Sequence, residues 1–284
     1  MSLPTLANWD TTAHSLHRAA QLLSGVRLLL LERVPNWLEL AMQFKTDGLS
    51  TNTLPGGGEV VLNFRQAALI YRRKDGTETS IPLNGHTQAS LFRALLKAMQ
   101  AGDLADTLAG VPESELVDVT LKAMAATKHP LLEGHNRLTD QTPLTVDPQL
   151  ANNYWTALDA VFTGVARFRA HLLGHMTPVV VWGEHFDLST LWFVDGEMDD
   201  HKAHMNFGFA PFSPGFPRPY LYAYAYPYPS NMTFPPLPAS ARWNTEGWTG
   251  VVVDYDTIAA QDNSVGYVEA LCAGIFAALR PLLG

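Results

Sequence analysis

The chain has 284 residues, of which 47% are hydrophobic and only 16% charged, which supports a large core and excludes a disordered chain. Its 27 acidic and 19 basic residues give a net charge of −8 with no basic cluster, which argues against nucleic acid and anionic membranes as partners. A single cysteine, Cys272, excludes an intramolecular disulfide and a cysteine-based zinc site.

In chain order, Thr11 or Thr12 is expected to cap a first helix carrying Leu16, Ala19, Ala20 and Leu23, with Gly25 as its stop. Val26 to Leu31 then reads as a buried strand, and the alternation from Trp37 to Phe44 as a second. Gly56-Gly57-Gly58 is a loop. No Lys-Ser/Thr pair follows it, so it is weak as a phosphate cradle. Strands are predicted at 60–64, 67–72 and 79–83, with an Asp75-Gly76 hairpin turn before the last. Helices follow from Thr87 and from about Glu113 to Ala126, so residues 1–128 form an N-terminal α+β half. The polar stretch 129–148 reads as a connector.

The C-terminal half, 149–284, opens with a long helix capped by Asp147, with Pro148 at its first position, and extends to about Leu173. Strands are predicted at 178–182, 187–194, 220–226 and 249–253, and Ser264 caps a final helix. Both halves read helix, strands, helix, which is compatible with an internal duplication or with one compact domain. The absence of strict βαβ alternation points to an α+β fold of mostly antiparallel sheets flanked by helices.

No dinucleotide fingerprint, Walker loop, nucleophile elbow or zincin motif is present. Chemistry must therefore come from scattered residues. At the turn Trp182-Gly183-Glu184-His185-Phe186-Asp187 an imidazole stands between two carboxylates. The set could act as acid or base or hold a divalent ion, or it is an ordinary turn with Phe186 buried. Asp199, Asp200, His201 and His204 offer metal-ligand atoms, or a solvated loop. His171 and His175, four apart at the end of the long helix, and His14 and His17 are open to the same two readings. Cys272, on an apolar stripe, reads as packing.

Tyr220, Tyr222, Tyr224, Tyr226 and Tyr228 recur at a period of two, so on a strand they share one face while Leu221, Ala223 and Ala225 take the other. Such a face suits the wall of a ligand cleft or an aromatic core with wet edges. Arg27, opening an otherwise apolar run, needs a carboxylate or an anionic ligand.

Several stretches also follow one another in a familiar order. They are Trp9, Leu16-His17, Gly25-Val26-Arg27-Leu28, Asn36-Trp37, Gly48-Leu49, Thr177-Pro178-Val179, Trp182-Gly183 and His185-Phe186-Asp187-Leu188. Asn206-Phe207-Gly208-Phe209, Ser213-Pro214-Gly215 and the tract 220–227 continue the set. Over nearly its whole length the chain resembles the bacterial domain-of-unknown-function family 5996. The resemblance implies a cytoplasmic bacterial protein and carries no activity with it. Members differ at 184 and 185, leaving Trp182, Phe186 and Asp187 as the better-matched positions.

The leading expectation is a small-molecule-binding protein with a pocket lined by Tyr222, Tyr224, Tyr226 and the Trp182–Asp187 turn, with Arg27 and Trp37 as further ligand contacts. The alternative is a metal-assisted hydrolase or lyase in which His185 and Asp187, with Glu184 or His204, hold a divalent ion or act as base. A third is a scaffold or oligomerisation protein using residues 211–238. No nucleic-acid or membrane partner is expected, the Leu28–Leu31 run being far short of the roughly 20 apolar residues a span needs. The oligomeric state is open.

Overall fold

The computed structural model describes residues 2–127 and 138–283. In chain order the elements are α1 (Asp10–Leu30), a 3-10 turn (Pro35–Leu40), β1 (Ala41–Lys45), β2 (Gly48–Ser50), β3 (Glu59–Asn63), β4 (Ala68–Arg72) and β5 (Glu78–Pro82). Then come α2 (Gln88–Met99), α3 (Ala105–Leu108), α4 (Leu116–Ala126) and α5 (Pro148–Ala170). They are followed by β6 (His175–Met176), β7 (Val180–Trp182), β8 (Asp187–Phe193), β9 (His204–Ala210), β10 (Tyr220–Tyr226), β11 (Arg242–Asn244), β12 (Gly250–Asp254), α6 (Tyr255–Ala259) and α7 (Ser264–Leu279). The fold is α+β, and every strand pairing described below is antiparallel.

The chain divides into two compact units. The first comprises Asn8–Asn152 and Val181–Phe186; the second comprises Met1–Ala7, Asn153–Val180 and Asp187–Gly284. In the first unit β1 to β5 pair in sequence, and Ala41 and Met42 of β1 pair with Trp182 and Val181 of β7. The turn between β4 and β5 places Gly76 at φ +85°, the left-handed geometry that the Asp-Gly pair predicts. Of the expected connector, residues 129–137 lie outside the described residues. Its later part is tied to the first unit, Val146 N–H donating to Asn84 (2.7 Å) and Asp147 N–H to Thr12 (3.0 Å).

Three expectations fail in this unit, each for a visible reason. Helix α1 runs through Gly25 to Leu30, so Val26 to Leu31 is not a strand. A Cβ at Gly25 would stand 2.7 Å from Leu138 Cδ1, so this glycine serves close packing within a helix rather than ending one. Trp9, not Thr11 or Thr12, is the residue before the first turn, and the Thr12 hydroxyl accepts from Asp147 instead. The alternation from Trp37 to Phe44 is broken by Pro35 and by left-handed φ values of 57° at both Asn36 and Trp37, so the strand begins only at Ala41.

The triple glycine wraps a carboxylate of the chain itself. Gly58 N–H donates to Asp103 Oδ1 (3.2 Å), and Tyr71 Oη donates to Asp103 Oδ2 (2.7 Å). A Cβ on Gly58 would lie 2.0 Å from Asp103 Oδ2, so only glycine lets the loop close on that side chain. The anion in this cradle is Asp103.

The second unit is built on β8, β9, β10, β12 and β11 in that spatial order, with β6 pairing β8. One face carries Phe207, Phe209 and Trp192, which pack on α5 and α7 through Phe168 (4.8 Å from Phe207), Tyr154 (6.5 Å from Phe209) and Phe276 (5.2 Å from Trp192). Gly164 brings α5 and α7 together, since a Cβ there would lie 2.7 Å from Val268. Asp147 caps α5 as expected, its Oδ1 accepting from Gln149 (2.8 Å) and Leu150 (3.1 Å).

The helix α5 ends at Ala170, so His175 belongs to a strand and does not share a helical face with His171, which instead meets Glu269 (2.8 Å). The last helix is capped by Asn263, one residue before Ser264. Residues 264–283 are long and apolar enough to cross a membrane by length and composition alone, with a mean hydropathy of 1.4. In the fold Val268, Leu271, Cys272, Ile275 and Leu279 of that stretch are buried in the second unit.

Candidate functional site

The expected tyrosine strand exists as β10, between β9 and β12, and its register fixes what the tyrosines meet. Tyr222 lies opposite Gly208, Tyr224 opposite Asn206 and Tyr226 opposite His204. On β8, Ser189 lies opposite Gly208, which places Asp187, two residues earlier, on the same face. This face is the reverse of the one covered by α5 and α7.

Two glycines let aromatic rings lie flat on it. A Cβ on Gly208 would stand 2.3 Å from Tyr222 Cζ, so the Tyr222 ring crosses over the glycine and its hydroxyl donates to Asp187 Oδ2. A Cβ on Gly250 would stand 2.3 Å from Trp248 Cζ3. Trp248 meets Tyr222 edge-on at 6.3 Å, and Phe216 stacks on Tyr220 at 4.5 Å. Tyr222 and Tyr224 are parallel within 8° at 6.4 Å. The Tyr220 hydroxyl bonds Ser213 Oγ (2.8 Å), and Asn206 Nδ2 donates to the Tyr224 hydroxyl (3.0 Å).

Exposure rises along the row: Tyr222 is 9% exposed, Tyr224 half-buried and Tyr226 46% exposed. The row therefore runs from a buried carboxylate out to solvent. At its outer end His204, itself buried, is ringed by Phe193, Tyr224 and Tyr226 at 5.9, 6.0 and 5.5 Å. Its Nδ1–H donates to the Lys202 carbonyl (2.8 Å), which leaves the lone pair of the neutral ring on Nε2. Burial lowers the His204 pKa, so the ring is neutral near pH 7.

Burial, followed by the Asp187 charge, raises Tyr222 well above the usual tyrosine range. Tyr220 and Tyr224 are raised as well, by burial first. All three stay protonated and available as donors. Asn206 is 8% exposed, and among the described residues its Oδ1 has no hydrogen-bond partner. Rotating the carboxamide only transfers the deficit to Nδ2, so one buried polar atom is unmatched either way.

The structure thus places Asp187, Tyr222, Tyr224, Tyr226 and His204 on one sheet face, with Asp187 at one end and His204 at the other, and adds Asn206, Gly208 and Trp248, which the sequence pattern did not assign to the site. The signal for them was present: His204, Asn206, Gly208 and Ala210 are every second residue of an otherwise aromatic and apolar strand.

Trp182, Glu184 and His185 belong to the first unit. There Glu184 and His185 are exposed, and Glu184 contributes its backbone carbonyl, 2.6 Å from His17 Nε2. The His17 ring stacks on Phe186 (5.9 Å, 5°), which sits at φ +58°. A Cβ on Gly183 would fall 2.2 Å from Ser24 Oγ, so the turn presses directly on α1. Burial lowers the His17 pKa to about 4, with His185 and His14 adding repulsion.

Arg27 is buried in the same unit and needs no anionic ligand. Its guanidinium donates to the carbonyls of Glu39 (2.7 Å), Leu38 (3.2 Å) and Thr51, with the Glu39 charge nearby. Trp37 carries Arg33 over its ring at 4.0 Å.

Among the described residues one group of three metal-ligating side chains has its donor atoms within 4.8 Å, namely Asp199, Asp200 and His201; it contains none of His185, Asp187 and His204. Cys272 is fully buried and its thiol is pushed up by that burial, as expected of packing.

The α+β architecture and the carboxylate-bearing aromatic face define a class of fold with a candidate ligand surface. The chain belongs to a family of unknown function (DUF5996), whose model matches residues 2–279. No curated protein and no solved structure matches it.

Proposed function

We propose that this is a small-molecule-binding protein whose site is the tyrosine face of β8, β9 and β10. The observation that carries the reading is Asn206. A buried polar atom without a partner costs about 1–3 kcal/mol, and cores rarely keep one. Here it stands in a row of polar groups, between the Tyr222–Asp187 pair and His204. A ligand group hydrogen-bonded at Asn206 would remove that cost, and the graded exposure towards Tyr226 supplies a way in.

The site composition suits binding by orientation. Tyr222, Tyr224 and Trp248 offer broad apolar contact, while Asp187, Asn206 and His204 fix direction. A bacterial, cytoplasmic setting is part of the proposal; it rests on the family resemblance and on a single, buried cysteine.

Native mass spectrometry of the protein as purified, without chelator, tests the reading. A retained organic mass that is lost in Asn206→Leu is expected. Bare polypeptide mass, together with a melting temperature unmoved by a broad metabolite library, would overturn it. A retained divalent ion lost in His185→Ala would instead favour metal-assisted hydrolase or lyase chemistry, and a multimeric mass without ligand would favour the scaffold.

A further inference from the structure

The hydrogen-bonding character of the ligand is written in the side chain that the tyrosine face leaves incomplete. The register sets Asn206 of β9 between Leu191 of β8 and Tyr224 of β10, with His204 and Gly208 as its neighbours along β9 on the same face. Leu191 and Gly208 carry no charge, and burial keeps the His204 ring neutral. No lysine or arginine occurs in the three strands.

A carboxamide offers one N–H group and one carbonyl to its surroundings whichever way it is turned. Tyr224 meets only one of the two: Asn206 Nδ2 donates to the Tyr224 hydroxyl at 3.0 Å, and among the described residues Oδ1 has no partner. Asn206 is 8% exposed and Tyr224 half-buried, so the tyrosine lies on the solvent side of the carboxamide. What completes Asn206 must therefore come in past Tyr224 and carry a donor beside an acceptor. An ammonium brings donors only and a carboxylate acceptors only, so each would leave one half of the carboxamide facing its own kind. The charges felt at Tyr224 are those of Asp187 and Asp200, both negative, which further disfavours an anion.

Resting on the binding function proposed above, we infer that the ligand is a neutral amide whose N–H donates to Asn206 Oδ1 and whose carbonyl accepts from Asn206 Nδ2, in the place of the Tyr224 hydroxyl. Tyr224 is a competitor for the same carboxamide. Its hydroxyl turns outward to water as the ligand enters, and its ring remains as a wall against the ligand body. Binding exchanges one hydrogen bond of Asn206 for two, and the unmatched buried atom gains its partner.

The test uses four probes of nearly one shape, in which only the group on the ring changes: benzamide, with donor and acceptor; acetophenone, with an acceptor only; benzoate, an anion with acceptors only; and benzamidine, at pH 7 a cation with donors only. Dissociation constants come from ligand-detected NMR titration into the full chain at pH 7, which follows binding into the millimolar range. Benzamide is expected to bind about tenfold more tightly than acetophenone, the worth of one hydrogen bond to a buried atom otherwise unmatched, and more tightly than either ion. Asn206→Leu is expected to abolish that preference. Tyr224→Phe keeps the ring and removes the competing hydroxyl, so it is expected to tighten benzamide by about threefold or more, a direction that a purely structural tyrosine would not give. It decides the matter if Asn206→Leu fails to fold.

If another of the four probes binds as tightly as benzamide and is weakened by Tyr224→Leu, the amide is overturned and the site stands; if that binding is indifferent to Tyr224→Leu, both fall. A benzamide preference that survives Asn206→Leu, or benzamide weakened by Tyr224→Phe, would also overturn the amide. No binding by any of the four would remove both the amide and the site.

Discussion

Each unit contains a tyrosine that donates to a carboxylate beside a glycine, and the two pairs differ in what surrounds them. In the first unit Tyr71 bonds Asp103, the Asp103 N–H returns a bond to the Tyr71 hydroxyl at 3.1 Å, and Gly58 N–H occupies the other carboxylate oxygen. Backbone groups close the arrangement, and its product is a fastened loop. In the second unit Tyr222 bonds Asp187 on a face of aromatic rings that also carries, further along β9, an Asn206 oxygen with no partner among the described residues. The same pair of side chains is a latch where the main chain completes it, and a candidate site where side chains leave a polar atom unmatched.

The comparison is broken most directly at the glycines. Gly58→Ala and Gly208→Ala each force a methyl into a space under 2.5 Å from a side-chain atom, with backbone carbonyls also within 3 Å. Each is expected to cost about 2–3 kcal/mol, read by chemical denaturation. A cost under about 0.5 kcal/mol for Gly208→Ala would mean that Tyr222 does not lie across it.

The carboxylates should separate next. Asp103→Asn deletes one of two acceptors that are both in use and should cost about 1–2 kcal/mol. Asp187→Asn keeps an acceptor for the Tyr222 hydroxyl, so it should cost about 1 kcal/mol or less, while abolishing ligand retention. If Asp187→Asn proves the more damaging of the two to stability, the distinction between latch and site fails.

A smaller effect should appear in pH. His17 is held at about 4 against 6.5 for a free imidazole, with burial as the main cause, so from pH 6.5 down to 4 the unfolded chain takes up a proton that the folded chain refuses. Stability therefore rises with pH across that window and is lost as pH falls from 6.5 towards 4. His204 is lowered as well and contributes in the same direction. Unfolding free energies between pH 4.5 and 7 should show the slope, and His17→Gln and His204→Gln should each flatten part of it. An unchanged slope in both variants would assign the loss to other groups.

The smallest effect belongs to the rim. Arg242→Gln, which opens an exposed ion pair with Asp254, is expected to change stability by less than about 1 kcal/mol, as measured by the same denaturation, and to leave the retained mass seen by native mass spectrometry unchanged.

What the sequence revealed follows from the range of each signal. The tyrosine row was legible because a strand puts every second side chain on one face, a rule that needs no neighbour. The hairpin at Asp75-Gly76 and the cap at Asp147 are equally local. Asp187 was named, but its partner was not, because the bond to Tyr222 depends on the register of β8 against β9 and of β9 against β10. Gly25 misled for a related reason: inside α1 it answers Leu138, more than a hundred residues away, and nothing local distinguishes that from a helix stop. The triple glycine hid its purpose in the same way, since Asp103 lies beyond four further elements. Arg27, expected to seek a carboxylate or a ligand, is satisfied largely by main-chain carbonyls, which carry no mark in a sequence.

The sole thiol offers a clock. Cys272 faces the interior of α7 with none of its surface exposed, so a thiol reagent added to the native protein can react only when that helix lifts away. The labelling rate therefore times a single event at one address, with no second sulfhydryl to blur the trace. An occupant of the opposite sheet face that steadies β10 should slow the reaction, making the modification half-life a gauge of occupancy that works for an occupant of any chemistry.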